Sequence, residues 1–245
     1  MIEINEVVRR SNQGVSQPFI CKDTKENKLW VKGAAWSVTD LVSEWVCACL
    51  AQAVELPVAE YDLVSVEKEL VKFSSLPEIA SLGSGIGFGS FHVAGSAEFD
   101  YANIETVDFE LRADILLFDY WIHNGDRILG IQGGNPNMLW VVNDEKLVII
   151  DHNMAFDKEF SFLDFIKNHA FGESIVLWNS AFRKSRHKKL LAILEQLPNI
   201  INSIPEDWFI DDYLRQNSLV AEIEHINLIL RRVETDPDEF WEVCI

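Results

Sequence analysis

The segment that most narrows the possible folds is Val148-Ile149-Ile150-Asp151, an apolar run that ends on a carboxylate. Such a run reads as a buried strand, and a carboxylate at its end is costly unless something cationic satisfies it. Met138 to Val142 forms a second β-prone run, and Asn143-Asp144-Glu145 between the two reads as a hairpin turn. With the turn centred on Asp144, Asn137 and Asp151 are equidistant from it and should face each other at the hairpin's open end. Asp126 lies just upstream, in the polar, Gly-rich stretch from His123 to Pro136. That stretch follows a predicted helix over about 107–122, with Thr106 as N-cap and Asp108 and Glu110 in its first turn. Three oxygen-bearing side chains, Asp126, Asn137 and Asp151, thus converge from one helix–loop–hairpin unit, and hard ligands of this kind suit Mg²⁺.

The first third reads as strands around one helix. Pro18 to Cys21 and Lys28 to Lys32 are β-prone and flank the polar turn Lys22 to Asn27, a hairpin signature. A helix over 39–55 follows, stopped before Pro57, with Val42, Trp45, Val46, Cys49, Leu50 and Ala53 on one face. A strand over 61–66 comes next. The glycine cluster Gly83 to Gly89 reads as a tight bend, and the apolar run Phe91 to Ala94 as the junction between two lobes. The cluster does not fit the dinucleotide pattern, because the sixth residue is Phe88 counted from Gly83 and Ser90 counted from Gly85. From Ser161 onward the chain reads as helical, with Ser218 as N-cap of a last helix and an acidic, loosely held end over 234–245. Arg183, Arg186, His187, Lys188 and Lys189 form one basic cluster, read as a solvated helix face or a contact for an acidic partner. His123 and His152 flank the polar segment and are expected to pack or hydrogen-bond.

Composition excludes several classes. With 245 residues, 48% of them apolar, the chain can bury a large core. Asp and Glu number 39 against 21 Lys and Arg, a net charge of −18, which argues against nucleic acid and anionic membranes as partners. No apolar leader or membrane-length segment occurs, and the four cysteines (Cys21, Cys47, Cys49 and Cys244) read as reduced structural thiols. A cytoplasmic protein is expected.

Two upstream residues complement the polar cluster. Lys32 ends a strand and Glu44 sits on the following helix. Each alone reads as a strand-end lysine and a solvated acid, but together they form a candidate ion pair. An aspartate that orients an acceptor hydroxyl, then a metal-binding asparagine, then a metal-binding aspartate is the order phosphoryl transfer uses in kinases.

The segments Val31-Lys32-Gly33, Glu44, Leu56-Pro57-Val58, Gly87-Phe88-Gly89-Ser90, Asn124-Gly125-Asp126-Arg127, Asn135-Pro136-Asn137-Met138-Leu139 and Ile150-Asp151-His152 resemble the HipA-like kinases, over about residues 15–160. The resemblance implies an α+β, bilobed, protein-kinase-like fold that uses ATP and Mg²⁺. A small β-rich N-lobe with one helix would span residues 1–93, and a larger, mostly helical C-lobe residues 94–245. It further implies Lys32 as the phosphate-contacting lysine with Glu44 its partner, Asp126 as the catalytic aspartate, and Asn137 and Asp151 as metal ligands. The backbone of His92, Val93 and Ala94 would hold the adenine. Asp126 and Asn137 are 11 positions apart, whereas the pattern H-R-D-x-x-x-x-N puts them about five apart. Ile128 to Gly134 is therefore a Gly-rich insertion, and Asn135 becomes a rival metal ligand. Asp151 is followed by His152 rather than Phe-Gly. No Gly-rich loop precedes Lys32, which leaves Gly14 with the hydroxyls of Ser11 and Ser16 to grip phosphate. Three functions stay open: a serine/threonine protein kinase, a small-molecule kinase, and a non-catalytic nucleotide- or partner-binding pseudokinase. A neutral or basic acceptor is expected from the acidity.

Overall fold

A computed structural model of the protein describes residues 1–12, 16–209 and 213–242, with no side-chain detail for 213–218. Five strands close into a barrel: β1 (Ile2–Arg10), β2 (Phe19–Asp23), β3 (Lys28–Lys32), β4 (Tyr61–Val66) and β5 (Gly85–Phe91). Their order around the barrel is β1-β2-β3-β5-β4, closed where β4 runs parallel to β1 at Ile2↔Val64 and Glu3↔Ser65. The β2–β3 hairpin pairs as its turn residues dictate. The nine-residue β1 had no sequence signal, because only Ile4 along it is fully buried and no clean alternation survives.

The glycine cluster is a strand instead of a bend. β5 lies between β3 and β4, so a neighbour sits on both of its edges. A Cβ on Gly89 would stand 2.4 Å from Val64 Cγ1, and one on Gly87 would stand 2.4 Å from the Lys32 carbonyl oxygen. Glycine at position 89 leaves room for Val64 and Leu29, which fill the barrel's own small core with Ile4, Phe19, Cys21 and Val31. The intervening Phe88 faces away and stacks on Tyr61.

Helix α1 (Val38–Ala53) starts at Ser37, whose hydroxyl accepts the Asp40 N–H. It is buried on more than one side: Leu41, Val42, Val46, Cys47 and Leu50 join the larger core, and Ser43 and Glu44 are buried with them. A second, short helix α2 (Lys68–Phe73) lies beyond β4. The backbone crosses from β5 through His92–Gly95 into β6 (Ser96–Glu98), which pairs with β9 (Met138–Val141) and so with β10 (Lys146–Ile149). Helix α3 (Phe109–Trp121) is capped by Asp108, whose carboxylate takes the N–H groups of Glu110 and Leu111. Thr106 instead closes a 3₁₀ turn, donating its hydroxyl to the Asn103 carbonyl. The loop after α3 contains a further hairpin, β7 (Ile128–Gly130) with β8 (Gly133–Asn135).

Helices α4 (Phe162–Asn168), α5 (Ser180–Leu194), α6 (Leu197–Asn202), α7 (Tyr213–Thr235) and α8 (Pro237–Glu242) complete the larger core around α3. Two expectations fail here. Helix α7 begins before Ser218, which therefore is not its N-cap. The end of the chain is docked through residue 242: Phe240 and Trp241 are buried, and Tyr120 donates its hydroxyl to the Phe240 carbonyl at 2.9 Å. Within the basic cluster on α5, Arg186 pairs with Asp114 and Glu110, and Lys189 with Glu55. Cys21, Cys47 and Cys49 are free thiols, and Cys244 lies outside the described residues. Among the described residues no helix is long and apolar enough to cross a membrane.

The β5 geometry gives a test. In Gly87→Ala the new methyl meets backbone that cannot rotate away, so the variant should lose about 1–3 kcal/mol of stability, read as a lower denaturant midpoint. An unchanged midpoint would show that β5 has slack.

Candidate active site

Strand β3 ends on Lys32, and α1 starts after a short turn, which places Glu44 over the strand end. Lys32 Nζ donates to Glu44 Oε1 and, at 2.6 Å, to Asp151 Oδ1. The Trp36 ring lies 5.3 Å from the ammonium. Glu44 Oε2 accepts the backbone N–H of His152 at 3.1 Å, and Ser16 Oγ donates to Asp151 Oδ2 at 3.2 Å. Burial works to lower the Lys32 ammonium, but Glu44 and Asp151 outweigh it and hold it above its ordinary value. Burial likewise pushes the Glu44 carboxyl up, to about 7, with Lys32 pulling against it. For Asp151 burial pushes upward too, and Lys32 wins, leaving the carboxyl below its usual range. Asp151 is thus held ionised, and it is the partly open member of the three.

The β9–β10 hairpin has a register different from that expected. Val141 pairs with Lys146 and Met138 with Ile149, and the Ile150 N–H donates to the Asn137 carbonyl at 3.0 Å. Asn137 therefore faces Ile150, one position short of Asp151. The cause is a turn of four residues, 142–145, with Glu145 left-handed (φ 50°); it centres between Asn143 and Asp144 and shifts the pairing by one. Asn137 (φ 47°) and Asp151 (φ 57°) are themselves left-handed, a conformation that Asn and Asp tolerate better than most residues. The edge of β10 is bridged by the Pro57–Ala59 segment, with the Ile149 N–H on the Pro57 carbonyl at 2.8 Å.

The insertion between Asp126 and Asn137 forms the β7–β8 hairpin and so spans no distance. Ile128 pairs with Asn135, and continuing that register sets Asp126 opposite Asn137. Asn135 and Asn137 fall on the same side of the strand, as alternate residues do, and both donate Nδ2 to Asp126 Oδ2, at 2.8 and 2.9 Å.

A buried network that sequence reading missed underlies both groups. Arg127 is fully buried and reaches Asp119 through Nε at 2.6 Å, the Asn137 carbonyl through Nη1 at 2.5 Å, and His152 Nε2 through Nη2 at 3.2 Å. Asp119 also receives Asn124 Nδ2 at 2.7 Å and His169 Nε2 at 3.0 Å. Burial would raise the Asp119 carboxyl, but Arg127 and His169 overcome that and hold it well below the usual carboxylate range. The His152 Nε2 faces a guanidinium that can only donate, so it is the acceptor of a neutral ring. Burial and Arg127 accordingly lower this imidazole to about 3. The missed signal is the lone acid in Leu116-Leu117-Phe118-Asp119-Tyr120-Trp121, the same kind of oddity that marks Asp151.

Lys32, Glu44, Ser16 and Asp151 thus form one contact group, Asp126, Asn135 and Asn137 a second, and Arg127 with His152 joins them. Ser11 is buried, its N–H on the Pro18 carbonyl, and Gly14 lies outside the described residues. At the β5–β6 crossing the His92 N–H is taken by the Lys28 carbonyl at 2.9 Å, and the Val93 carbonyl accepts Ser96 Oγ at 2.8 Å. That leaves the N–H groups of Val93 and Ala94 without a partner among the described residues. His123 stacks on Phe160, with centroids 4.4 Å apart.

No cluster of three or more His, Cys, Asp or Glu side chains that could cage a metal occurs among the described residues. The Asp151 carboxylate and the Asn137 Oδ1, which accepts no protein hydrogen bond among the described residues, are both hard oxygens. That donor set fits Mg²⁺, a cation commonly held by one or two protein ligands together with waters and substrate phosphates.

Comparison with known proteins matches this arrangement to one family. The HipA-like kinase family matches residues 4–244, and the chain belongs to it. Among solved structures, a Helicobacter pylori proinflammatory kinase, CtkA, superposes with a TM-score of 0.56 at 13% identity, over 99% of this chain and 96% of that one. The fold is therefore kinase-like and α+β. The Golgi casein kinase gives a TM-score of 0.46 at 12% identity, over 98% of this chain and 75% of that one. Its structure with Mn and ADP bound gives 0.49 at 12% identity, over 96% and 74%. Comparison with curated protein sequences gives no match.

The His169 contacts yield a pH test. Its Nδ1 accepts the Phe171 N–H at 3.0 Å and its Nε2 donates to Asp119, so protonation would cost the Phe171 bond. Burial, foremost, lowers its imidazole below the ordinary value. The unfolded chain then binds the extra proton first, so this contribution is complete above about pH 6.5 and is lost as pH falls below it. The urea midpoint should drop between pH 7 and 5, and His169→Gln, weaker throughout, should show a flatter slope. Parallel slopes would remove His169 as the cause.

Proposed function

We propose that the protein is an ATP- and Mg²⁺-dependent phosphotransferase acting on a hydroxyl group, most simply a serine or threonine of a protein. The observation that carries this is the continuous contact path from Lys32 and Glu44 through Asp151, His152 and Arg127 to Asn137 and Asp126. In this reading Lys32, fixed by Glu44, meets the nucleotide's phosphates, and Ser16 contributes a hydroxyl at the same place. The Val93 and Ala94 amides serve the base from the far end of β3, about 13 Å from Lys32 at the usual rise per residue. Asp126 accepts the acceptor hydroxyl's proton as the new O–P bond forms at the γ-phosphorus and the bond to the leaving ADP breaks. Bound at Asp151 and Asn137, Mg²⁺ supplies charge neutralisation on the phosphates. Residues 1–93 and 94–245 act as the two lobes, and the free thiols of Cys21, Cys47 and Cys49 accord with work in the cytoplasm. The acidic surface favours a neutral or basic acceptor. A long span between Asp126 and Asn137 is the feature that favours the pseudokinase; the β7–β8 hairpin sets Asn137 beside Asp126 despite that span, which supports the catalytic reading.

Calorimetry with ATP, with and without Mg²⁺, tests the reading. Wild type should bind ATP more tightly with Mg²⁺, and Asp151→Ala should lose that gain. Asp126→Ala should keep ATP affinity while phosphoryl transfer falls by about 10²–10⁴-fold. Absence of nucleotide binding in the wild type would sink the proposal, and binding without transfer to protein or small hydroxyl compounds would establish the pseudokinase.

A further inference from the structure

The β7–β8 hairpin brings more than chain length to the site. Asp126 Oδ2 receives two amide donors, Asn137 at 2.9 Å and Asn135 at 2.8 Å, while Oδ1 accepts no hydrogen bond among the described residues. The two asparagines differ in what anchors them. Asn137 is clamped through its carbonyl by Arg127 and by the Ile150 N–H, and Asn135 is placed by pairing with Ile128. The base of the hairpin is fixed in turn: Ile128 bridges to His169, and the Arg127 carbonyl accepts the Ala170 N–H at 2.9 Å. Inside the hairpin a Cβ on Gly134 would stand 2.3 Å from the Ile128 carbonyl oxygen, so β8 lies hard against β7. The tip, by contrast, is solvent: Ile131 is 84% exposed.

We infer that Asn135 is a positioning residue for Asp126, and that the inserted hairpin exists to deliver it. This rests on the phosphotransferase reading and deepens it. Two donors on one oxygen fix the plane of the carboxylate and leave Oδ1 as the atom presented to the acceptor hydroxyl. With a single donor the carboxylate would swing about the Asn137 contact. Asn137 would then be asked to hold the carboxylate alone through Nδ2 while its Oδ1 served the cation. Asn135 takes up part of that restraint and is not itself a cation ligand.

Four proteins separate the possibilities: wild type, Asn135→Ala, Asn135→Asp and Asn137→Ala. Affinity for ADP with Mg²⁺ is measured by calorimetry. Single-turnover transfer of the γ-phosphate from ATP to histone, or to the protein itself, is measured alongside, with the melting temperature. Asn135→Ala should slow transfer about 10- to 100-fold, the scale of a small misplacement of a reacting group, with Mg²⁺·ADP affinity and ATP KM within about twofold. The near-isosteric Asn135→Asp, which keeps the shape but offers no donor and repels Asp126, should slow it at least as much, and it serves if the alanine variant folds poorly. Asn137→Ala should be the one that weakens Mg²⁺·ADP. A tenfold loss of Mg²⁺·ADP affinity in Asn135→Ala that Asn135→Asp restores would make Asn135 a cation ligand and overturn the inference. Transfer within twofold of wild type in Asn135→Ala would overturn it as well. A wild type that binds no nucleotide overturns the underlying reading, a result told apart because it appears before any substitution is made.

Discussion

Arg127 is fully buried, and the site is arranged by how its five donors are used. A guanidinium cannot shed its charge in a protein, so the fold must bring acceptors to it. Asp119 supplies the countercharge, while the carbonyls of Pro136 and Asn137 and the ring of His152 take the remaining protons. Those acceptors come from α3, from the link between β8 and β9, and from the residue following Asp151. One side chain therefore fixes the relative positions of three separate stretches of chain. Removing one partner of so buried a pair costs about 3–5 kcal/mol, because the survivor keeps its charge with nothing to answer it.

The second constraint is at the barrel. Lys32 can be held between Glu44 and Asp151 only if β3 ends at the right height, and that height depends on how closely β5 lies beside it. The glycines of β5 set the spacing. A side chain at 87 would push against the Lys32 carbonyl itself, so packing inside the barrel and the placement of the ammonium are one problem. Hydrophobic filling by Leu29 and Val64 on the glycine side thus serves the polar side.

What could be read from the sequence follows from how local each signal is. The β2–β3 and β9–β10 hairpins, α1 and β4 announce themselves through turn residues and periodicity within a few positions, and the family resemblance rests on motifs of three to five residues. Asp151 stood out because it ends an apolar run, and Lys32 only through the company of Glu44 and the polar cluster downstream. Strand β1 was invisible because its one buried residue gives no alternation, and β5 was misread because glycine signals a bend unless the neighbours on both edges are known. The register at Asn137 turned on whether the hairpin turn has three residues or four, which the polar run Asn143-Asp144-Glu145 does not decide. The Asp119–Arg127–His169 network was missed because its members are spread along the chain and meet only in the fold.

The β7–β8 hairpin bears on what a motif is. Because its two ends are held side by side, the count of residues between Asp126 and Asn137 carries no information about how far apart they stand. A pattern written with fixed spacing measures contour length along the chain, and here the contour makes a closed excursion. The quantity under physical constraint is the gap across the neck of the hairpin, set by one strand-to-strand spacing. Chains whose excursions differ widely in length can keep the same neck, and a pattern allowing any excursion between fixed ends would group them together.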